Sequence, residues 1–445
     1  MGPDVQELLR KGSVSLVVRV VAGLVGFIVT VVATRSLGQD ASGTFFLSLT
    51  IITLSATIAR FGFDQLLTRL VSNGSGRQDW DSINRLYRAV LPFVLLIAAV
   101  TGTLLFVFAG LISIMIFDKP ELVTALRWMS ASVCTLSLHW LHAHCHQGLK
   151  KMVAFQWFQN LGVYSIFLVL IGMETAVSSS EITLVLFAQL YSVASLLIAT
   201  WAVFTWRRQP WFAWQGVAPN VRVLLADATP LLGVALIGQL ILWLPQLLLG
   251  VFRSTSDVSV YNSAFRTAQL TAIVLMAGNS ITLPKLATLF HQNEVERLRR
   301  VMVLSTRLMA ICCLPFIVVL LWFPVEVLAL FGKGYGTGAN VLRILALGQF
   351  FNVATGSVGG LLNMTGRQRS SLRGNALAFC LLSVLCILLI PKYGIFGAAI
   401  AQAASLTFQM TYFTWVVHRD FGFFPLAIGK IRTPSKCKVS NAGHP

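Results

Sequence analysis

Charge is scarce in this chain, and negative charge scarcest of all. Asp, Glu, Lys and Arg together make up 11% of its 445 residues, against about 25% in a soluble globular protein. So few charged groups cannot wet the surface of a soluble chain of this length, which excludes a soluble enzyme. With 56% hydrophobic residues, a disordered chain is excluded too. Cysteine is limited to seven residues, six of them in apolar stretches and Cys437 in a basic tail, so no disulfide framework exists and the buried thiols count as small apolar groups. The motifs of several chemistries are missing as well. The sequence has no Walker A loop, no G-x-S-x-G and no H-E-x-x-H. Any work the chain does must therefore draw on a gradient or on its substrate's own concentration difference.

What is abundant is apolar sequence in long runs. The mean hydropathy is +0.77, and helical spans of about 20 apolar residues are what a ~30 Å hydrocarbon core requires. Twelve segments qualify, near 13–34, 42–62, 88–117, 121–146, 152–173, 181–206, 222–252, 257–283, 301–323, 339–363, 371–391 and 394–416. None alternates as a membrane barrel strand does. The expected fold is an all-α polytopic membrane protein of twelve transmembrane helices. The first span is too long for a cleaved signal.

The net charge is +18, which in a soluble protein suggests nucleic acid; in a membrane protein its distribution matters more. With a cytoplasmic N-terminus, the inner loops and termini hold twenty-three Lys and Arg and the outer loops hold five, namely Arg35, Lys119, Arg253, Lys333 and Lys392. Both termini are therefore expected inside, with no nucleic-acid partner. No loop is long enough to form a soluble domain. Segments 63–87 and 284–300 read as short helices on the inner membrane face.

The halves echo each other. Arg35-Ser36-Leu37-Gly38-Gln39-Asp40-Ala41-Ser42-Gly43-Thr44-Phe45 leads into the second span, and Arg253-Ser254-Thr255-Ser256-Asp257-Val258-Ser259-Val260-Tyr261 leads into the eighth. Six spans separate the copies, so the repeat is parallel, 6+6, with a site expected between two lobes. The organisation read from this is an N-terminal lobe over 1–206, a cytoplasmic linker over 207–222, a C-terminal lobe over 223–416 and a basic tail over 417–445.

Six cations remain inside or at the edges of spans: Arg19, Arg60, Arg127, Arg266, Arg307 and Arg343. A guanidinium at the bilayer centre costs about 2.5–3.5 kcal/mol on insertion scales and tends to face a wet cavity or a partner. Snorkelling to the interface accounts for the shallow ones. Arg266 is expected near mid-membrane, roughly 14 Å from the outer edge at 1.5 Å per residue. Only Asp227 and Asp64 lie near enough to neutralise such cations. Arginine grips phosphate bidentately, so Arg19, Arg60 and Arg266 are the candidates for a phosphate-binding cavity, with Arg127, Arg307 and Asp227 as secondary cavity residues. Asp227 is alternatively a structural group, a helix cap near Pro230 or the partner of a neighbouring Arg, or a group in cation or proton coupling. His139, His142, His144, Cys145 and His146 form the one metal-like cluster, with His142 and His146 at chelating i,i+4 spacing; interfacial histidines with no carboxylate beside them are the plainer reading, and no metal is assigned. Many amides inside spans, among them Gln269, Gln349 and Asn352, serve either as interhelical glue or as contacts to sugar hydroxyls.

Several stretches resemble a known family. Ala33-Thr34-Arg35-Ser36-Leu37-Gly38 with Ser42-Gly43 and Phe45 is similar to the A-R-x-L-G…G-x-[YF] opening of bacterial polysaccharide exporters. Arg60-Phe61-Gly62-Phe63-Asp64 with Arg69, Phe331-Gly332 with Tyr335, Val341 to Ala346, Leu362 to Arg367, and above all Pro391-Lys392-Tyr393-Gly394-Ile395-Phe396-Gly397-Ala398-Ala399-Ile400-Ala401 continue the match. The chain thus resembles the O-antigen and capsular polysaccharide flippases of the multidrug/oligosaccharidyl-lipid/polysaccharide exporter superfamily. The resemblance implies two six-helix lobes around a cationic cavity and alternating access in a bacterial inner membrane. The implied cargo is undecaprenyl-pyrophosphate-linked oligosaccharide, moved to the periplasmic leaflet, with Arg19, Arg60 and Arg266 at the positions of the family's pyrophosphate-contacting arginines. Membrane lipids, a polysaccharide polymerase and chain-length proteins are the implied partners. No cofactor is implied, and a proton or sodium gradient is the open question of coupling. Two other readings stand beside this one. A drug or small-cation exporter of the same fold requires an acidic, aromatic cavity, and a polysaccharide polymerase or ligase requires a large catalytic outer loop.

Overall fold

The computed structural model describes residues 3–177, 181–214 and 221–424. Every regular element among these residues is a helix. By length and apolarity, eight helices can cross a membrane, or nine when Tyr335–Thr355 and Val358–Met364, bent by 45°, count as one span. The expectation of twelve differs from this count for local reasons. The stretch Val17–Arg60, 44 residues, would reach about 66 Å as one straight helix, twice the hydrocarbon thickness. Gly38 breaks it (φ 73°, ψ −175°), a backbone conformation open to glycine, so this stretch holds two of the expected spans. Glu121–Ser130 and Ser132–Gly148 are separate helices parted at Ala131, each too short alone. Ile395–Phe421 is long enough but diluted by Gln402, Ser405 and Gln409.

Of the two segments expected as short helices, one forms over part of its length, the next long helix beginning already at Trp80. Gly62 (φ 77°) ends the second span, and Phe63–Gly76 follows as an amphipathic helix burying Phe63, Leu66, Leu67 and Val71. The other does not. Ala272–His291 runs straight through Pro284, and after a turn at Asn293 (φ 56°) the next long helix, Val295–Trp322, begins. Pro284 breaks no helix here, because a proline inside a span loses only one backbone hydrogen bond and neighbouring helices can compensate.

Three apolar clusters describe how the helices pack. The largest mixes both halves of the chain, from Val29, Phe45 and Ile52 to Val260, Tyr261, Tyr335 and Ala401. The second holds first-half residues from Phe63 to Trp206 and takes only Leu224 and Ala228 from beyond them. The third is built wholly from the second half, Leu286 to Phe423. The halves are thus fused through the largest cluster, while elsewhere they pack mostly apart, the start of Val221–Phe252 being the second-half piece that joins the first-half cluster.

The fused end is where the two echoing turns meet. Gln39 accepts from Ser256 Oγ at 2.8 Å and Asp40 from Thr255 Oγ1 at 3.1 Å. Ser42 and Ser259 share a hydrogen bond of 2.7 Å, and Tyr335 reaches both, at 3.2 and 2.8 Å. Deeper in, the Gln246 amide donates to Phe46 O and Thr50 Oγ1, each at 2.9 Å, and accepts from Asn262. Around the rim, cations close exposed helix ends: Arg35 donates to Leu330 O at 2.7 Å, Lys119 to Gly250 O at 2.8 Å and Arg253 to Pro391 O at 2.7 Å. Each satisfies a terminal carbonyl that has no partner within its own helix. At the opposite end, one exposed ion pair joins the halves, Arg69 to Asp227 at 3.4 Å.

The approach at the fused end depends on Gly43, where an added Cβ would lie 1.8 Å from Thr255 O. Gly43→Val should therefore push the two turns apart and lower stability by about 3 kcal/mol or more, seen as a fall in the detergent melting temperature. Gly233→Ala, with nothing within 4 Å of its Cβ, should melt like the parent. Equal melting of all three proteins would contradict the contact.

Candidate functional site

Four helices contribute to a cavity of about 390 Å³ lined by Arg19, Gly23 and Phe27 from the first, by residues between Arg266 and Met276 from two consecutive helices, and by Gln349 and Asn352 from a fourth. The spacing explains the lining. Arg19, Gly23 and Phe27 lie four residues apart, one helical face. Arg266, Gln269, Leu270 and Ile273 follow the same rule. The helix Thr255–Gln269 stops just past Arg266, and Ala272–His291 resumes after Leu270 and Thr271, so the break itself lies in the cavity wall. Phe27 in the lining lies edge-on to Phe331, with ring centroids 5.4 Å apart.

The chemistry of this lining is cationic and amidic. Arg266 lies over the Trp243 ring at 5.3 Å, a cation–π contact that orients the guanidinium, and its buried Nε has no hydrogen-bond partner. Arg19 is exposed and belongs to no ion pair among the described residues. No Asp or Glu lines the cavity. Gln269, Gln349 and Asn352 supply donors and acceptors around the two cations. Sequence reasoning noted these three only among many amides. Their spacing, three residues from Arg266 and three from each other, is the signal that could have singled them out.

Arg60 is not brought to this cavity. Its side chain is 2% exposed and fully engaged. It donates to Ala56 O at 2.9 Å, to Thr57 Oγ1 at 3.1 Å and to Asp64 Oδ2 at 3.4 Å, and it stacks over Trp140 at 4.3 Å. A guanidinium so satisfied has little left to offer a phosphate. The secondary candidates are elsewhere too. Arg127 is exposed and lies over Phe106 at 5.9 Å. Asp227 is exposed and paired with Arg69. Arg307, half-buried on Val295–Trp322, does not line the cavity.

Two of the histidines, His139 and His142, are tied into the fold by hydrogen bonds, while both ring nitrogens of buried His146 have no hydrogen-bond partner. His139 Nδ1 bonds Phe158 O at 2.6 Å. Both ring nitrogens of His142 are taken, Nδ1 by Leu138 O at 2.7 Å and Nε2 by the Tyr87 hydroxyl at 3.0 Å, so the His142–His146 pair cannot chelate an ion as arranged. No group of three or more metal-ligating side chains occurs among the described residues. Beyond the spans, Asp420 receives hydrogen bonds from Arg367 at 2.5 Å and Arg419 at 2.8 Å. Burial pushes its carboxyl pKa up, and the two guanidiniums outweigh that and hold it below the ordinary carboxylate value. The basic tail past Phe424 lies outside the described residues.

The different states of Arg60 and Arg266 predict opposite stability effects. Arg60→Ala leaves Asp64 buried without its cation and should cost about 3–5 kcal/mol, read as a lower melting temperature in detergent. Arg266→Ala should melt within a degree or two of the parent. Unchanged melting of Arg60→Ala together with lost transport would make Arg60 a substrate contact after all.

Comparison with known proteins follows the same lines. Among curated proteins, a probable flippase, AglR, of Haloferax volcanii is 27% identical over 168 residues, 37% of this chain and 35% of the relative. The capsular polysaccharide biosynthesis protein CapF of Staphylococcus aureus is 31% identical over 182 residues, 39% of this chain and 42% of the relative. The chain thus matches between about a third and two fifths of the length of these curated relatives. Among solved structures, the lipid II flippase MurJ in an inward closed conformation superposes with a TM-score of 0.70 at 13% identity, covering 92% of this chain and 89% of that one. An inward-facing multidrug resistance MATE transporter of the MOP superfamily gives 0.69 at 15% identity, covering 91% and 94%. At such identities the likeness is one of fold, and that fold is the MATE/MurJ fold. AglR and the two solved structures are named as flippases or transporters, and CapF as a capsular polysaccharide biosynthesis protein. A MatE family model matches residues 230–389, and the model described as polysaccharide biosynthesis protein matches residues 8–290. With most of its length matched in this way, the chain is a multi-pass helical membrane protein that belongs to the polysaccharide biosynthesis protein family.

Proposed function

We propose that the protein is a flippase for undecaprenyl-pyrophosphate-linked oligosaccharide. It carries this lipid from the cytoplasmic to the periplasmic leaflet of a bacterial inner membrane by alternating access, and so supplies the assembly of a surface polysaccharide such as O-antigen, capsule or exopolysaccharide. The observation that supports this reading is the cavity in which Arg19 and Arg266 share a wall with three carboxamides and no carboxylate. A pyrophosphate is the anion two guanidiniums bind best, and in a site screened from water each charge–charge contact is stronger than at the surface. Gln269, Gln349 and Asn352 suit the hydroxyls of the first sugars. A cation exporter of the same fold would need an acidic group in this wall.

On this reading Arg266, oriented by Trp243, takes the headgroup in the membrane interior, and Arg19 meets it on the way in. The lobes are residues 1–206 and 223–416, joined through 207–222, with the tail 417–445 and both termini in the cytoplasm. The fused end of the bundle is then the periplasmic side, closed while the cavity faces inward. No chemical bond is made or broken. A proton or sodium gradient, or the consumption of the delivered lipid by a polymerase and its chain-length partner, drives the cycle forward.

Arg266→Ala and Arg19→Ala should each abolish surface polysaccharide in a strain whose own flippase is deleted and complemented by this gene, while Arg266→Lys retains a fraction. Immunoblotting of the polymer, with membrane levels of each variant as control, reads the result. Normal polymer from both alanine variants would remove the arginine cavity from the transport path.

A further inference from the structure

A second hollow, of about 340 Å³, lies on the first half of the chain and shares no lining residue with the arginine cavity. Leu95 of the helix Trp80–Val107, Thr135 and Leu138 of Ser132–Gly148, and Leu196, Ala199 and Arg207 of Leu184–Arg207 are among the residues that line it. Ala199, 1% exposed, is the most deeply buried of its lining residues. The two hydroxyls that line it are used up within the protein, since Thr135 bonds Ser195 at 2.7 Å and Thr200 bonds Leu197 O at 2.9 Å. What remains is an apolar trough with a single charged group, Arg207, at one end.

The dimensions of the trough are informative. Eleven residues separate Leu196 from Arg207, about 16 Å of helix rise, which is one half of a ~30 Å hydrocarbon core. The trough is thus one leaflet long and ends on a cation at the depth of the headgroups. Arg207 is exposed and has no ion-pair partner among the described residues. Beside it, Arg208 stacks over Phe204 at 4.3 Å and Lys151 donates to Gln209 at 2.7 Å, so the mouth of the trough is positive and without a carboxylate. We infer that this trough is a binding site for an anionic phospholipid of that leaflet, one acyl chain lying between the three helices and the phosphate on Arg207. Charge selects the occupant: a zwitterionic lipid fills the trough equally well but gains less from Arg207, since each basic residue near the surface favours an anionic headgroup by about 1 kcal/mol, or roughly fivefold.

Native mass spectrometry of the full-length protein, titrated with phosphatidylglycerol or with phosphatidylethanolamine, tests the site. The parent should prefer phosphatidylglycerol. Arg207→Gln should weaken phosphatidylglycerol about fivefold and remove the preference, while leaving phosphatidylethanolamine unchanged. Thr200→Phe, at an exposed position where added bulk enters the trough and displaces no core side chain, should weaken both lipids. Arg266→Ala, in the transport cavity, should change neither. Undiminished phosphatidylglycerol binding in both Arg207→Gln and Thr200→Phe overturns the proposal. So does displacement of the lipid from this site by undecaprenyl phosphate in preference to phosphatidylglycerol, which would make the occupant the isoprenoid carrier.

Discussion

The constraint that organises this molecule is the cost of a guanidinium in hydrocarbon. The chain is rich in arginine and poor in carboxylates, so ion pairs can neutralise only some of its cations. It uses instead whatever acceptors a helical bundle leaves over. Arg35 and Arg253 take the last carbonyls of neighbouring helices. Arg343 donates to Leu321 O at 2.9 Å and to Asn340. Arg60 combines a carbonyl, a hydroxyl, one carboxylate and an indole face. Against that background Arg266 stands out, because its Nε is buried and unmatched at the edge of a cavity that also contains Arg19. The inference of an anionic cargo rests on this contrast between satisfied and unsatisfied arginines, and not on arginine content alone.

Much of this was legible in the residues. Apolar runs announce the helices, because only internally hydrogen-bonded backbone is tolerated in lipid. Arg19 and Arg266 could be singled out because depth in a span is simple counting. Arg60 could be counted in the same way and belongs elsewhere, since depth says nothing about direction. The clue was four residues away, at Asp64, which the i,i+4 rule of helices places on the same face even across the turn at Gly62. The number of spans was harder to read than their nature. Gly38 kinks the chain between two spans that follow each other without a loop, whereas Ala131 divides another into two short helices, and neither residue advertises this in a hydropathy profile. The segment 284–300 misled for a related reason. A proline reads as a boundary in water, but in a membrane-embedded bundle Ala272–His291 passes through Pro284 unbroken. The leaflet-long trough had no linear signature at all, since three helices distant in sequence build it.

The echo between the two halves has a structural meaning that the residues alone only suggested. The turn after Arg35 and the turn after Arg253 do not merely resemble each other; they touch, through Gln39–Ser256, Asp40–Thr255 and Ser42–Ser259. Two copies of one motif meeting face to face is what a duplicated lobe produces when its copies are related by an axis along the membrane normal. Glycine at position 43 lets the backbones meet there, with the Thr255 carbonyl where a side chain would otherwise begin.

The kind of bond used at that seam bears on how such a protein can work. A seal made of buried ion pairs would lose about 3–5 kcal/mol for each charge left without its partner. This seal is made chiefly of hydroxyl and amide contacts, each worth a net 0.5–1.5 kcal/mol and each able to exchange its partner for water once the lobes part. Opposite it, an exposed Arg69–Asp227 pair contributes about 1 kcal/mol at most. On the proposed alternating-access reading, a seam whose hydrogen bonds can exchange with water is one that a ligand binding the two arrangements unequally can shift. A cargo whose charge is spread over two phosphates supplies that difference if both arginines grip it more tightly in the closed arrangement than in the open one. On the same reading, the scarcity of carboxylates that suits the cavity to phosphate also leaves the seam between the halves to exchangeable hydrogen bonds rather than buried ion pairs.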